Sequence, residues 1–422
     1  MSNNKLCPIL NAKILAQSIE DVPVIIQFKD NNEDLFNDVS SVSSKMKADL
    51  PIIHGLAVNM STDIVYRLST SPDVDFISFD SNVYALLDIA NATMESYFPH
   101  DKGYDGNGIG VAVIDTGVAP HADLVKPKNR LISFKDYVKG KTDPYDDNGH
   151  GTHVAGIIAG NGYSSKGKYV GIAPKTNIIS LKALDENGGG STSDIIAALS
   201  YCIENKERYN IKIVNLSLGT PANNKPEKDP LVKAVEKCVE AGLVVVTAAG
   251  NSGPNEKTIL SPGVSRKVIT VGAVDDKRTI DTSDDTIAKF SSRGPTIQGI
   301  QKPDLVAPGV NINSLSNTKL DSYTSLSGTS MATPLISGSL ALLFNRYGDE
   351  LTPEDYKLKL VESCEQLNEP IQGQGAGMLN LKLLFNAEPN MVKSLSNSLF
   401  DDDFIETLIM LLIIFFLLDS RI

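Results

Sequence analysis

The sequence predicts an α/β fold built on a mainly parallel central sheet and preceded by a small α+β unit. Three observations carry this expectation. From Gly108 onward, short β-branched or apolar runs alternate with segments of helical periodicity, the pattern of strands covered by helices on both faces. The stretch from Val22 to Leu87 holds a strand and helix pattern of its own. Finally, 422 residues exceed what one hydrophobic core usually organises, so two folded units are expected.

In the first unit, Val24–Phe28 reads as a strand, Asn32–Leu50 as a helix, and Ile53–Met60 as a second strand. Thr62–Ser69 suits a short helix opening at Ser61, Asp75–Phe79 a strand, and Val83–Leu87 a further extended piece. The order β-α-β-α-β is close to a split βαβ unit. Asp88–Gly108 is small, polar and weakly periodic, which suits a linker. Beyond it, strands are expected at Val111–Ile114, Ile178–Leu181, Ile213–Leu216, Leu243–Thr247 and Val268–Val271, with amphipathic helices at Ser193–Asn205 and Pro230–Ala241. The polar stretch Glu388–Asp403 reads as a connector to an apolar tail, Leu408–Leu418. Even extended back to Phe404, the tail as a helix would reach roughly 22 Å, short of the roughly 30 Å hydrocarbon core. Residues 404–418 are therefore expected to meet a membrane surface or a partner rather than to span a bilayer.

Composition narrows the function. Hydrophobic residues at 41% and charged residues at 21% are ordinary globular values. The net charge of −12, with Lys and Arg dispersed, lacks the electrostatic footprint of a nucleic-acid binder. Cys7, Cys202, Cys238 and Cys364 are far apart and form no CxxC, so reduced thiols are expected rather than a disulfide framework or a zinc site. The N-terminus shows no basic segment followed by an apolar core and cleavage site, which points to a cytoplasmic protein.

Three short motifs carry chemistry. Gly110–Gly117 is an apolar strand that ends in Asp115 and turns at a glycine; strand carboxyl ends of a parallel sheet form the crevice where ligands bind. Alone, such an Asp is ordinarily a turn former. Asn148–Gly156 places His150 between glycines at the start of a small-residue helix. His150 and His153 could be read as a metal pair, but the chain has only five His and no acidic third ligand fits the segment. Ser327–Pro334 introduces a helix with Ser330 at its start, where a serine is usually a cap. As a nucleophile, Ser330 would need an imidazole to take its proton and an acid to fix that imidazole's tautomer. Its own N–H, backed by the helix dipole, would face a developing oxyanion. Asp115, His150 and Ser330 supply all three parts.

Taken in order, IDTGV, NGHGTHVAG and GTSMATP resemble the three signature segments of the subtilisin-like serine proteases. With PYDDNGHGTH and SSRGP, the pattern is most similar to the intracellular AprX-type bacterial subtilases. The resemblance covers about Gly103 to Leu384 and implies a subtilisin-like three-layer fold and a serine endopeptidase acting on peptide or protein substrates. By the same resemblance, Asn251 in AAGNSG would donate its amide to the oxyanion. Gly188, Gly189 and Gly190 would form one peptide-binding edge and Ser217, Leu218 and Gly219 the other, with the peptide added as a strand between them. Leu260 would narrow the specificity pocket.

The N-terminal unit resembles the ferredoxin-like propeptides of the family, which implies an intramolecular chaperone and inhibitor over residues 1–95, released by self-cleavage near Leu87–Thr93. A slow-folding parallel sheet gains from such a template. The catalytic domain would then cover 96–387, and the linker and tail 388–422. No cofactor is required for the chemistry. Asp123 matches a structural calcium ligand of the family, and the cluster Asp143, Asp146 and Asp147 either binds a hard cation or is solvated. A silent scaffold that only binds peptides is the competing reading, and the four intact catalytic positions argue against it.

Overall fold

The computed structural model describes residues 5–16, 21–29, 33–50, 53–80, 89–222 and 225–386. The expected strand Val83–Leu87, the connector and the apolar tail lie outside the described residues. Two compact units divide between Ala85 and Leu86.

In the first unit, α1 (Pro8–Leu15) precedes β1 (Asp21–Phe28), α2 (Glu33–Val42), β2 (Lys45–Leu50), β3 (Gly55–Ser61), α3 (Thr62–Ser69) and β4 (Val74–Phe79). The strands form one antiparallel sheet in the order β2-β3-β1-β4. Strand β1 alternates, with Val22, Val24, Ile26 and Phe28 buried, as a sheet with one packed face requires. The expected long helix Asn32–Leu50 is instead helix plus strand. Lys45–Leu50 pairs with β3 along an edge whose side chains are largely exposed, so no apolar alternation marked it.

The second unit opens with two short helices, α4 (Ile89–Thr93) and α5 (Tyr97–Asp101), in the stretch expected to be a linker. They belong to the larger body. Met94 is fully buried, its carbonyl accepts from Leu381 N, and Thr93 Oγ1 donates to the Thr279 carbonyl. The contact boundary therefore precedes the expected one at residue 95.

The larger unit continues with β5 (Gly110–Asp115), α6 (Ala122–Val125), β6 (Leu131–Asp136), α7 (His150–Ala159), β7 (Asn177–Lys182), α8 (Thr192–Tyr209), β8 (Ile211–Leu216), α9 (Pro230–Glu240), β9 (Val244–Ala248) and β10 (Ile269–Asp275). After them come β11 (Thr286–Ile287), β12 (Leu305–Pro308), the hairpin β13 (Ile312–Leu315) and β14 (Tyr323–Leu326), α10 (Thr329–Tyr347) and α11 (Pro353–Glu362). Two further short strands, β15 (Cys364–Glu365) and β16 (Met378–Leu379), complete the sheet.

Its order is β15-β16-β12-β10-β9-β8-β5-β7-β6, with β11 beside β10, and every pair is parallel except β10 with β11 and β15 with β16. Alternate residues of one strand serve opposite cores. Val111 and Val113 pack with α7 and α10, whereas Ala112 and Ile114 pack with α8 and α9. This makes the fold three layers, helix on sheet on helix, of the α/β class. Each of the five strands expected in this domain is present. Helix starts are chemically marked: Ser191 accepts from Asp194 N, and Asp229 accepts from Leu231 N and Val232 N with Pro230 behind it.

Strand order places β7 and β8 on opposite sides of β5. That reversal opens the crevice at the strand carboxyl ends, and Asp115 stands at its rim.

Candidate active site

Asp115 closes β5 with no solvent exposure, and the His150 ring is 27% exposed at the first residue of α7. His150 Nδ1 lies 2.7 Å from Asp115 Oδ1, and Thr116 N donates to the same oxygen at 2.7 Å. Burial alone would lower the pKa of His150. The Asp115 charge and hydrogen bond, with Asp146 behind them, outweigh it and raise the value. A carboxylate on Nδ1 also fixes the tautomer, leaving Nε2 as the free base. Among the described residues, Asp115 Oδ2 has no donor.

The approach of α7 to β5 depends on missing side chains. Gly149 has φ of 107°, the left-handed region that favours glycine. A Cβ on Gly151 would meet the Gly117 carbonyl oxygen at 2.1 Å and Asp115 Oδ1 at 3.2 Å. Asp146 organises the turn before His150, accepting from Asn148 N and Gly149 N on one oxygen and from Thr152 N and Oγ1 on the other.

Ser330 is the second residue of α10, so its N–H has no helical acceptor four residues earlier. Pro334 cannot donate to the carbonyl of Ser330. Ser217 Oγ takes that place, donating to the Ser330 carbonyl at 3.0 Å, while Ser330 Oγ donates to the Ser217 carbonyl at 3.1 Å. In this arrangement the Ser330 hydroxyl is therefore bonded to the end of β8 and not to His150. Asn251 follows β9 through Gly250, and its Oδ1 accepts from Thr329 N and Thr329 Oγ1 at 2.9 and 3.0 Å. That fixes the amide with Nδ2 over Gly328. Asn251 is exposed, and its Nδ2 lies near Gly328 and the start of α10.

Of the expected peptide edges, Ser217 is buried and Leu218 and Gly219 continue β8, with Thr220 pairing with Ser261. Leu260 lies against Gly219 and Gly250, where a Cβ would sit 2.9 and 2.6 Å from its side chain. The other edge is less extended than expected. Gly188 and Gly189 close a turn on Asp185, whose carbonyl accepts from Gly188 N, whose N donates to the Gly189 carbonyl, and whose Oδ1 accepts from Gly189 N. Gly190 lies beyond that turn, against the Ala183 carbonyl.

Asp123 meets a protein donor at each carboxylate oxygen. It is fully buried, with Oδ1 accepting from Ser164 N and Oδ2 from Tyr323 Oη. Asp146 is occupied as described, and Asp147 pairs with Lys139 and Lys182. No group of three or more metal-binding side chains occurs among the described residues. His153 is buried with Nε2 donating toward the Ile312 and Thr324 carbonyls. Burial drives its pKa down to about 4, so it stays neutral. Sequence reasoning missed Thr116, Ser217 Oγ and Lys182, and read Asp146 as a cation ligand or a solvated charge where it is buried and organises the His150 turn. Of these only Lys182 carried a signal, a cation ending a buried strand.

A family model described as the Subtilase family matches residues 106–378. Serine protease AprX of Bacillus subtilis (strain 168) is 41% identical over 391 residues, covering 86% of this chain and 88% of that protein. The major intracellular serine protease of the same organism is 40% identical over 272 residues, covering 62% and 75%. Among solved structures, a cold adapted subtilisin-like serine proteinase aligns with a TM-score of 0.52 at 32% identity, covering 66% of this chain and 88% of that one. Sphericase aligns with a TM-score of 0.56 at 31% identity, covering 65% and 92%.

Proposed function

The chain belongs to the subtilase family and is a serine protease, a hydrolase of peptide bonds, and from that premise we propose that it is an endopeptidase whose reacting groups are Asp115, His150, Ser330 and Asn251. The carrying observation is the 2.7 Å contact between the buried Asp115 and His150 Nδ1; at the start of α10, Asn251 Oδ1 accepts from the N–H of Thr329, the residue before Ser330. Substrate entry shifts the Ser330 hydroxyl from the Ser217 carbonyl to His150 Nε2 by rotation about the Cα–Cβ bond; such bonds commonly tighten only in the substrate complex. Ser330 Oγ then attacks the carbonyl carbon while His150 takes the proton. The C–N bond breaks as the imidazolium returns that proton to the leaving amine, and water hydrolyses the acyl-enzyme by the reverse route. Asp115 holds the tautomer and stabilises the imidazolium. Asn251 Nδ2 and the Ser330 N–H bind the oxyanion. The peptide lies along Ser217–Gly219 and the segment at Gly190, with Leu260 shaping the pocket.

The N-terminal unit acts as an autoinhibitory propeptide on this reading, supported by its separate sheet and its place before the catalytic unit. A cytoplasmic site of action follows from the likeness to a protein named an intracellular protease. No helix among the described residues is long and apolar enough to cross a membrane; the tail, residues 404–418, is left the role of a membrane-surface or partner contact.

Fluorophosphonate labelling tests the assignment. Mass spectrometry should place the adduct on Ser330 in the parent and find none in Ser330→Ala. The parent should also release an N-terminal fragment cut near Leu87–Thr93, which Ser330→Ala should not. Labelling at another residue would refute the assignment.

A further inference from the structure

Lys182 ends β7 directly opposite Asp115 in the sheet, and its side chain is fully buried. A buried ammonium is costly unless each of its donors is met. Here Nζ donates to the Thr116 carbonyl at 2.6 Å, the Asp147 carboxylate at 2.7 Å and the Leu184 carbonyl at 2.9 Å, which uses its three hydrogens.

The three acceptors belong to three parts of the site. Thr116 donates its N–H to Asp115 Oδ1 and accepts from Gly151 N, the residue after His150. Asp147 lies in the turn leading to His150 and follows Asp146, which organises that turn. Leu184 N, with Ala183 N, donates to the Asp115 carbonyl and begins the segment leading to Gly190. Neutralising Asp147 does not require Lys182, because Lys139 already pairs with it at 2.9 Å.

We propose that Lys182 is a positioning residue whose buried ammonium ties the Asp115 loop to the turn before His150 and so holds these two side chains in reactive alignment. The inference rests on the triad reading above. Lys182 touches no reacting atom, and its effect passes through Thr116 and Asp147.

Lys182→Met in the full chain is the test, with active sites counted by fluorophosphonate titration. The expected result is kcat per titrated site lowered roughly ten-fold or more with KM within about two-fold, the pattern of an interaction made only in the transition state. A purely structural role would lower the number of titratable sites and leave kcat per site unchanged, and that outcome would overturn the proposal. A second readout needs no turnover. In the Ser330→Ala background, the downfield proton resonance on His150 Nδ1 should broaden when Lys182→Met is added; an unchanged sharp resonance counts against the proposal. Failure of the parent to label would refute the triad reading instead, and the resonance would still report whether Lys182 holds the pair. Should Lys182→Met not fold, Asp147→Ala is expected to lower kcat per site by roughly three-fold or more, and Asp147→Asn, which keeps an acceptor, to restore it. Equal activity in the two overturns the proposal.

Discussion

Gly151→Ala puts the geometry of the site under its hardest test. The added Cβ would stand 2.1 Å from the Gly117 carbonyl oxygen, 3.1 Å from Asp115 Cβ and 3.2 Å from Asp115 Oδ1. Carbon rarely approaches a carbonyl oxygen closer than roughly 3.3 Å, so one side must retreat by about 1.2 Å. Neither side is a flexible side chain. Gly117 is itself hemmed in, since a Cβ there would meet the Tyr145 carbonyl oxygen at 2.2 Å, and α7 is buried through Ala159. The strain is taken up by parting His150 from Asp115. A misplacement of about 1 Å costs about 10²-fold in rate, equivalent to about 2.7 kcal/mol, with a further ~1–3 kcal/mol of overpacking in stability. The assay is kcat/KM on a chromogenic peptide, normalised to titrated sites, with thermal unfolding alongside. A variant within about three-fold of the parent in kcat/KM and unchanged in Tm would refute the close-approach argument.

Four further outcomes follow from the structure. In Asp115→Asn the Asp115 charge and its charged hydrogen bond, the main groups that raise the His150 pKa, are lost while burial and the weaker pull of Asp146 remain, so the imidazole deprotonates more readily; the acid limb of kcat/KM against pH should move to lower pH while the plateau falls, and an upward shift would contradict the pairing. Gly190→Ala should lower kcat/KM mainly through KM, because its Cβ would lie 2.3 Å from the Ala183 carbonyl oxygen, whereas Gly189→Ala, with its nearest contact at 3.6 Å, should stay close to the parent. Burial raises the Cys202 thiol and pushes Cys238 up to about 12, so both should resist iodoacetamide near pH 8 in the native chain and react after unfolding, as mass spectrometry would show. Leu340→Ala, in the fully buried part of α10, should cost about 2–5 kcal/mol in denaturant unfolding yet leave kcat per titrated site within about two-fold.

What could be read from the sequence was whatever repeats locally or demands a particular side chain. Each strand expected in the larger domain is present because a strand buried on both faces must be mostly apolar, as the run Val244, Val245 and Val246 is. Strand β2 escaped because Lys45, Met46 and Lys47 are exposed and carry no alternation. Helix α4 escaped because Ile89–Thr93 is five residues long and is held by tertiary contacts at Thr93 and Met94 rather than by periodicity. At the site, Asp115, His150 and Ser330 stand out because three motifs, each ordinary alone, together offer an acid, a base and a nucleophile. The second tier does not, because the use of Thr116 or Ser217 depends on which backbone groups come within hydrogen-bond reach after folding. The turn at Gly188–Gly189 shows the same limit, since its closure depends on the Asp185 carboxylate as much as on the glycines.

Ser330 and His150 share a mode of placement that separates stability from activity. Each sits in the first turn of a helix that is buried along nearly its whole length and packs on the same face of the sheet. Closely packed interiors move little, so the depth of each helix start is set by many side chains, and the loss of one is relaxed around rather than transmitted. At the rim the reverse holds. There a few backbone carbonyls and buried charges set the last ångström, with Gly151 against Gly117 and Lys182 between Thr116 and Asp147. These contacts bury little apolar area, so altering them weakens the fold less than it disturbs alignment. Core substitutions should therefore track unfolding free energy, and rim substitutions should track turnover per site.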